Sequence, residues 1–196
     1  NFKKAKKVAF DTLLKHQISN FPIDIKKIIK SYPDIKIITY SEMAEKNGVS
    51  FEDIIMANGS EDGALNYSRK RQKFFIAYND QMVPKERVYW TLAHEFGHYL
   101  LKHHLKTDKV SLLRNTITIK EHEVFEREAN FFARYFIVPP EVVVESGLTD
   151  HSQIMEHFKV SFKTSINTLN FIKSSLEKGF SFIIPNRLKP LLNKFV

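Results

Sequence analysis

The sequence has no cysteine and contains only six glycines and one tryptophan among its 196 residues. The absence of cysteine excludes disulfides, thiolate metal sites and cysteine nucleophiles, and it is typical of a protein from a reducing compartment. Any metal ion would therefore have to be bound by histidines and carboxylates.

The sequence also has no run of about 18 apolar residues, so we expect no transmembrane helix. Its basic start, Lys3-Lys4-Ala5-Lys6-Lys7, leads into Asp11 and Lys15 rather than into the apolar run of a signal peptide. These absences predict a cytoplasmic protein with no membrane partner. The chain begins at Asn1 rather than Met, so the sequence does not establish whether it is full length.

Apolar residues are plentiful, at 43% of the sequence, which is enough to bury a sizeable core. We expect a core over residues 1–140 with a C-terminal helical segment, 141–196, packed on it, or one domain over 1–196. The net charge of +8 comes from lysines spread along the whole chain. This spread favours solvated helix faces over a dedicated nucleic-acid surface.

The local patterns predict an α+β fold, with a small, largely antiparallel sheet packed against helices. Residues 35–40 and 74–78 are rich in β-branched and aromatic residues and indicate strands. Between them, serines at positions 41 and 50 are suited to begin two short helices, and Gly59 and Gly63 indicate turns. Pro84 is placed to open a long helix to about residue 103, and 121–137 forms another that Pro139 must end. The link at 106–120 predicts a loop with a short strand.

The long helix after Pro84 contains the motif His94-Glu95-Phe96-Gly97-His98. Residues four apart on a helix lie about 40° from each other, so His94 and His98 can bind one metal ion. Glu95 is offset by about 100° from His94 and can reach a water there as a general base. Imidazoles with one carboxylate and an open position favour a single Zn²⁺ ion, with manganese as an alternative.

An H-E-x-x-H pattern also arises by chance in helices that carry two surface histidines. Here Leu92, Ala93 and Phe96 surround the histidines, so the helix is expected to be buried, where histidines without partners would be costly. Gly97 costs the helix about 1 kcal/mol relative to Ala, and such a glycine commonly permits close packing at a site. The context therefore favours a metal site.

The third ligand is expected from the helix over 121–137. Glu126 is the predicted ligand, because it shares its flank of the helix with Asn130 and the small Ala133. Glu128 faces the other, bulkier flank and is kept as the alternative ligand, with a solvated or structural role favoured. Asn130 can accept the second ring N–H of His94 or His98, with a plain surface amide as the alternative.

The residues that carry a family resemblance are Tyr78-Asn79, Thr91-Leu92-Ala93-His94-Glu95-Phe96-Gly97-His98-Tyr99-Leu100-Leu101 and Glu126-Arg127-Glu128-Ala129-Asn130-Phe131-Phe132-Ala133, followed by Pro139. In these residues the sequence resembles the ImmA/IrrE family of metallopeptidases, which implies a zincin-like α+β fold. It departs from the family at 135–138, where relatives usually carry a leucine-rich stretch. This change falls on packing residues and leaves the expected chemistry intact.

The resemblance implies a zinc endopeptidase of bacteria or their mobile elements that cleaves a helix-turn-helix repressor and so relieves repression. In the expected mechanism His94, His98 and Glu126 hold zinc, and Glu95 passes a proton from water to the leaving amine. The alternative is a regulator that retains a metal site and binds DNA or a partner without cleaving it. At 196 residues we expect no additional sensory domain of the kind found in some relatives.

Two further patterns remain. Residues 44–50 and 158–161 each resemble the turn of a DNA-binding helix-turn-helix, but two packed helices explain both as well, so direct nucleic-acid binding is not favoured. His103 and His104 could stabilise the oxyanion, although histidines at a helix end are more often structural.

Overall fold

The computed structural model describes residues 1–105 and 119–189. Its helices are α1 (Phe2–Lys15), α2 (Ile25–Lys30), α3 (Tyr40–Asn47), α4 (Phe51–Asn58), α5 (Glu86–Leu100), α6 (Ile119–Ile137), α7 (Pro140–Glu145), α8 (His151–Phe158) and α9 (Phe162–Glu177). Its strands are β1 (Ile35–Thr39), β2 (Gly63–Ser68) and β3 (Lys73–Tyr78). The predicted loop and short strand at 106–120 fall almost entirely outside the described residues. No helix within the described ranges is both long enough and apolar enough to cross a membrane.

The three strands form one sheet in the order β1-β3-β2. The predicted strands at 35–40 and 74–78 are confirmed as β1 and β3. The expectation of a largely antiparallel sheet is wrong, because β2 pairs antiparallel with β3 whereas β1 pairs parallel with it. The reason is the path of the chain. Helices α3 and α4 carry it from β1 to β2, and the β2–β3 hairpin then returns it in the direction of β1.

Helices α3 and α4 pack on the sheet through a cluster of Tyr40, Ile54 and Ala77. Both helices begin with a capping box, in which a side-chain oxygen accepts from a backbone N–H and an acidic side chain returns the bond. Ser50 caps α4 as predicted. The cap of α3 is Thr39 rather than the predicted Ser41, because the helix starts directly where β1 ends.

Helix α5 packs against α2, β2 and β3 through a buried face. Leu92, Ala93 and Phe96 on this face are at most 1% exposed. The ring of Tyr32 meets that of Phe96 edge-on at 5.2 Å. The burial predicted for the motif helix is therefore present.

The described residues divide into two compact units. The central unit comprises Asn1 and the described residues between Asp24 and Asn130. The terminal unit comprises Phe2–Ile23 and the described residues from Phe131 onward. The boundary expected at residue 140, and the alternative of one domain over 1–196, stay predictions.

The terminal unit is formed by both ends of the chain. Phe10 of α1 packs edge-on against Tyr135 at 5.7 Å, and Phe21 lies 5.1 Å from Phe158. These contacts group α1 with the C-terminal helices in one compact unit.

Candidate metal centre

Helix α5 presents the three functional side chains of the motif. His94 and His98 lie one turn apart, with ring centroids 4.7 Å from each other. The helix around them is buried, so His98 is only 3% exposed and Glu95 only 9%. The histidines are therefore held on a packed helix rather than on a mobile surface.

Helix α6 brings Glu126 to the two histidines. His94 Nε2 lies 3.2 Å from Glu126 Oε2, and His98 Nε2 lies 3.3 Å from Glu126 Oε1. The two Nε2 atoms are 3.0 Å apart. Within the described ranges these three residues form the group of side chains able to hold a metal ion, as predicted for His94, His98 and Glu126.

The spacing of these atoms fits zinc. A tetrahedral zinc ion with bonds of about 2.0–2.1 Å to nitrogen holds neighbouring ligand atoms about 3.3 Å apart. The two Nε2 atoms, 3.0 Å apart, are close to that value, and Glu126 contacts them through different oxygens, with Oε2 3.2 Å from His94 and Oε1 3.3 Å from His98. One ligand atom from each residue lies within 4.8 Å of the others. Two imidazole nitrogens and a carboxylate that leave a fourth position open are also the donor set of catalytic zinc sites.

The charges of the group attract one another. Burial acts to raise the pKa of the Glu126 carboxyl, but hydrogen bonds and charges from His94 and His98 outweigh it and hold that pKa well below its ordinary value. For His94, burial acts to lower the pKa, and the bond to Glu126 and the charge of Glu95 raise it above its ordinary value. The carboxylate of Glu126 is thus held in its charged form beside the two histidines.

Asn130 lies one turn beyond Glu126 on α6 and contacts His94. Its Oδ1 is 3.0 Å from His94 Nδ1. An amide oxygen only accepts, so His94 donates from Nδ1, and its Nε2 keeps a lone pair facing His98 and Glu126. The sequence left open whether Asn130 would contact His94 or His98, and the structure places it at His94.

Glu128, the alternative ligand, lies elsewhere. It is 4% exposed, so it is not a solvated acid. Its Oε2 is 2.9 Å from His103 Nε2, and its Oε1 accepts from the amino group of Asn1. His103 Nδ1 in turn lies 3.0 Å from His98 Nδ1. Glu128 is therefore connected to the metal centre through His103.

Sequence reasoning missed this role for His103. The residue was considered for oxyanion stabilisation, but it is fully buried and both of its ring nitrogens are engaged. His104 packs against the rings of Phe74 and Tyr99. The signal that could have found His103 is the need of His98 for a second partner.

A cleft of about 630 Å³ opens over the metal centre. Residues 58–65, at the end of α4 and the start of β2, form one wall. Side chains of α5 and α6 form the other, among them Glu95, Trp90 and His122. An exposed ion pair between Arg87 and Asp62, 2.6 Å apart, lies at the cleft. The cleft belongs wholly to the central unit.

A comparison with protein families identifies a match. The family model of the IrrE N-terminal-like domain, a peptidase family (Peptidase_M78), matches residues 45–170. This span is more than half of the chain and includes all three residues of the candidate metal group. No curated protein matches the chain.

Proposed function

Because the chain belongs to the ImmA/IrrE family of peptidases, through its IrrE N-terminal-like domain, we propose that it is a zinc-dependent endopeptidase that cleaves a helix-turn-helix repressor. The single observation that carries the metal-dependent part is the convergence of His94, His98 and Glu126 within 3.0–3.3 Å at the base of a cleft. The repressor as substrate is supported by family membership alone.

His94, His98 and Glu126 would hold the zinc ion, which supplies Lewis acidity for peptide hydrolysis. Glu95 lies between the two histidines in sequence and lines the same cleft. It accepts a proton from the attacking water and returns it to the nitrogen of the leaving amine. The water oxygen forms the new C–O bond as the C–N bond breaks, so the products are a carboxylate and an amine.

The edge of β2 is suited to hold an extended substrate. No described strand pairs with its outer side. The hydrogen bond from Asn79 N to Asp62 O shows which residues of β2 bond to β3. Because such residues alternate along an antiparallel strand, the backbone N–H and C=O groups of Leu65 and Tyr67 point away from β3. Since residues 63–65 line the cleft, a substrate strand paired with this edge would pass beside Glu95.

The test is cleavage of the repressor encoded beside this protein. Wild type with zinc is expected to produce fragments, and a chelator should prevent them. Glu95→Gln should slow cleavage by about 10²–10⁴-fold, because the general base is lost, while zinc remains bound. Glu86→Gln is the matched control, since it makes the same change at an exposed position of the same helix and should cleave like wild type.

Two results would contradict the proposal. Unimpaired cleavage by Glu95→Gln would remove Glu95 from the mechanism. An intact repressor that is displaced from DNA equally by wild type and Glu95→Gln would favour the non-proteolytic regulator instead. Fragment masses measured by mass spectrometry, together with a DNA-binding assay, separate these outcomes.

A further inference from the structure

We propose that His103 and Glu128 are positioning residues that fix the tautomer and orientation of His98, so that its Nε2 lone pair faces the metal position. The inference rests on the proposed function in that it assumes a metal held by His98. It concerns how the protein prepares that ligand and assigns a joint role to two residues outside the motif.

The contacts form a continuous series of hydrogen bonds from His98 through His103 to Glu128, which we call the relay. His98 Nδ1 is 3.0 Å from His103 Nδ1, and His103 Nε2 is 2.9 Å from Glu128 Oε2. Their exposed fractions are 3% for His98, 0% for His103 and 4% for Glu128. With so little water available, the ring nitrogens depend on one another and on the carboxylate for partners.

The direction of each hydrogen bond follows from the carboxylate of Glu128, at which the series of hydrogen bonds ends. An ionised carboxylate only accepts, so His103 donates to Glu128 from Nε2. A neutral imidazole carries one N–H, so His103 Nδ1 is then an acceptor and His98 must donate to it from Nδ1. The proton of His98 is thus held on Nδ1, and its Nε2 lone pair is available at the metal position.

The local backbone brings His103 back toward His98. Helix α5 ends at Leu100, and Lys102 adopts φ 58°, in the left-handed region that residues other than glycine rarely occupy. After this reversal the ring of His103 stacks on that of Phe125, with ring centroids 4.6 Å apart and an interplanar angle of 15°. A strained residue and an aromatic stack together fix the ring plane.

The two histidines of the motif are therefore supported differently. His94 donates to the neutral amide of Asn130, which is exposed. His98 is linked through a second imidazole to the buried, charged carboxylate of Glu128, which also accepts from the amino group of Asn1. That charge strengthens His98 as an electron donor, so loss of the relay should weaken metal binding more than loss of one surface hydrogen bond.

The experiment measures the zinc dissociation constant of the full chain by competition with a chromogenic chelator. His103→Phe keeps a ring against Phe125 but removes the acceptor for His98, so affinity should fall by about 10–100-fold. His103→Asn restores an oxygen near the position of Nδ1 and should recover part of the loss. Glu128→Gln, which is nearly isosteric, should also weaken binding because the negative charge is gone.

His104→Phe is the matched control. It makes the same change at the next residue, whose ring packs on Phe74 and Tyr99 rather than in the relay, and its zinc affinity should equal that of wild type. Unfolding curves of the zinc-free proteins check that each variant folds. If His103→Phe does not fold, His103→Asn and Glu128→Gln decide the question.

The proposal is overturned if His103→Phe or Glu128→Gln binds zinc as tightly as wild type. It is also overturned if His103→Phe and His104→Phe lose affinity equally, because the effect is then one of general packing. A wild-type protein that binds zinc tightly but does not cleave the repressor contradicts the proposed function and leaves the relay standing. The two failures are therefore distinguishable.

Discussion

Two glutamates on one helix have different roles, although only one residue separates them. Residues two apart on a helix project about 200° from each other, so Glu126 and Glu128 cannot serve the same site from the same side. Glu126 meets His94 and His98, and Glu128 meets His103. The geometry therefore assigns ligation to Glu126 and support to Glu128.

This assignment predicts the result of removing the ligand. Glu126→Ala should abolish stoichiometric zinc binding, because two imidazoles alone form an incomplete site. Glu123→Ala is the control, since Glu123 lies on the same helix and pairs with Arg127 at an exposed position. Elemental analysis of the purified variants measures the metal content. Zinc retained by Glu126→Ala at the wild-type level would show that the third ligand lies elsewhere.

At the level of single residues, the features predicted from the sequence are those that depend on helical periodicity. His94 and His98 are four residues apart on α5, and Glu126 and Asn130 are four residues apart on α6. In each pair the two side chains therefore lie on the same face of the helix. The contact of His103 with Glu128 does not follow from such a spacing, because it depends on how the chain turns after α5 and where α6 returns. A local pattern carries no information on such a meeting.

At the level of elements, the close approach of β2 to α5 depends on Gly63. A Cβ at this position would lie 2.6 Å from Thr91 Cγ2 and 2.9 Å from the carbonyl oxygen of Ala77. Thr91 stands one turn before His94 on α5. The absence of a side chain at Gly63 thus lets the strand that lines the cleft pack directly on the helix that carries the motif.

Gly63→Ala is expected to destabilise the protein by about 1–3 kcal/mol, because the backbone oxygen of Ala77 cannot move aside cheaply. Thr91→Ser removes one of the two clashing atoms. Gly63→Ala should therefore cost less stability in the Thr91→Ser background than in the wild type. Denaturant unfolding of the four proteins in this cycle measures the coupling. An unchanged free energy of unfolding for Gly63→Ala would show that β2 does not require this glycine.

The same glycine explains why β2 was not predicted. Gly63 was interpreted as a turn signal, and Asn66 and Ser68 are poor strand formers. The segment is a strand because it pairs with β3, from Gly63 opposite Tyr78 to Ser68 opposite Lys73. The parallel pairing of β1 with β3 was missed for a related reason, since strand composition does not encode the direction of a distant partner.

At the level of the whole molecule, the ends of the chain form one unit and the middle forms another. The prolines after α6, from which a boundary at residue 140 was expected, mark the end of a helix. Helix α6 contributes residues up to Asn130 to the central unit and later ones to the terminal unit. Such a division depends on contacts between residues far apart in sequence, such as Phe10 with Tyr135.

Because the candidate ligands all lie in the central unit, zinc should stabilise that unit. A ligand that binds only the folded state at 1,000 times its dissociation constant adds about 4 kcal/mol, which raises the melting temperature by about 8–16 °C for a protein of this size. Scanning calorimetry of the wild type with zinc and with a chelator measures the shift. Glu126→Ala should melt at the same temperature in both conditions, because its site is incomplete. If the wild type also shows no shift, the centre formed by α5 and α6 does not bind zinc, and both the proposed peptidase mechanism and the supporting role of His103 fail with it.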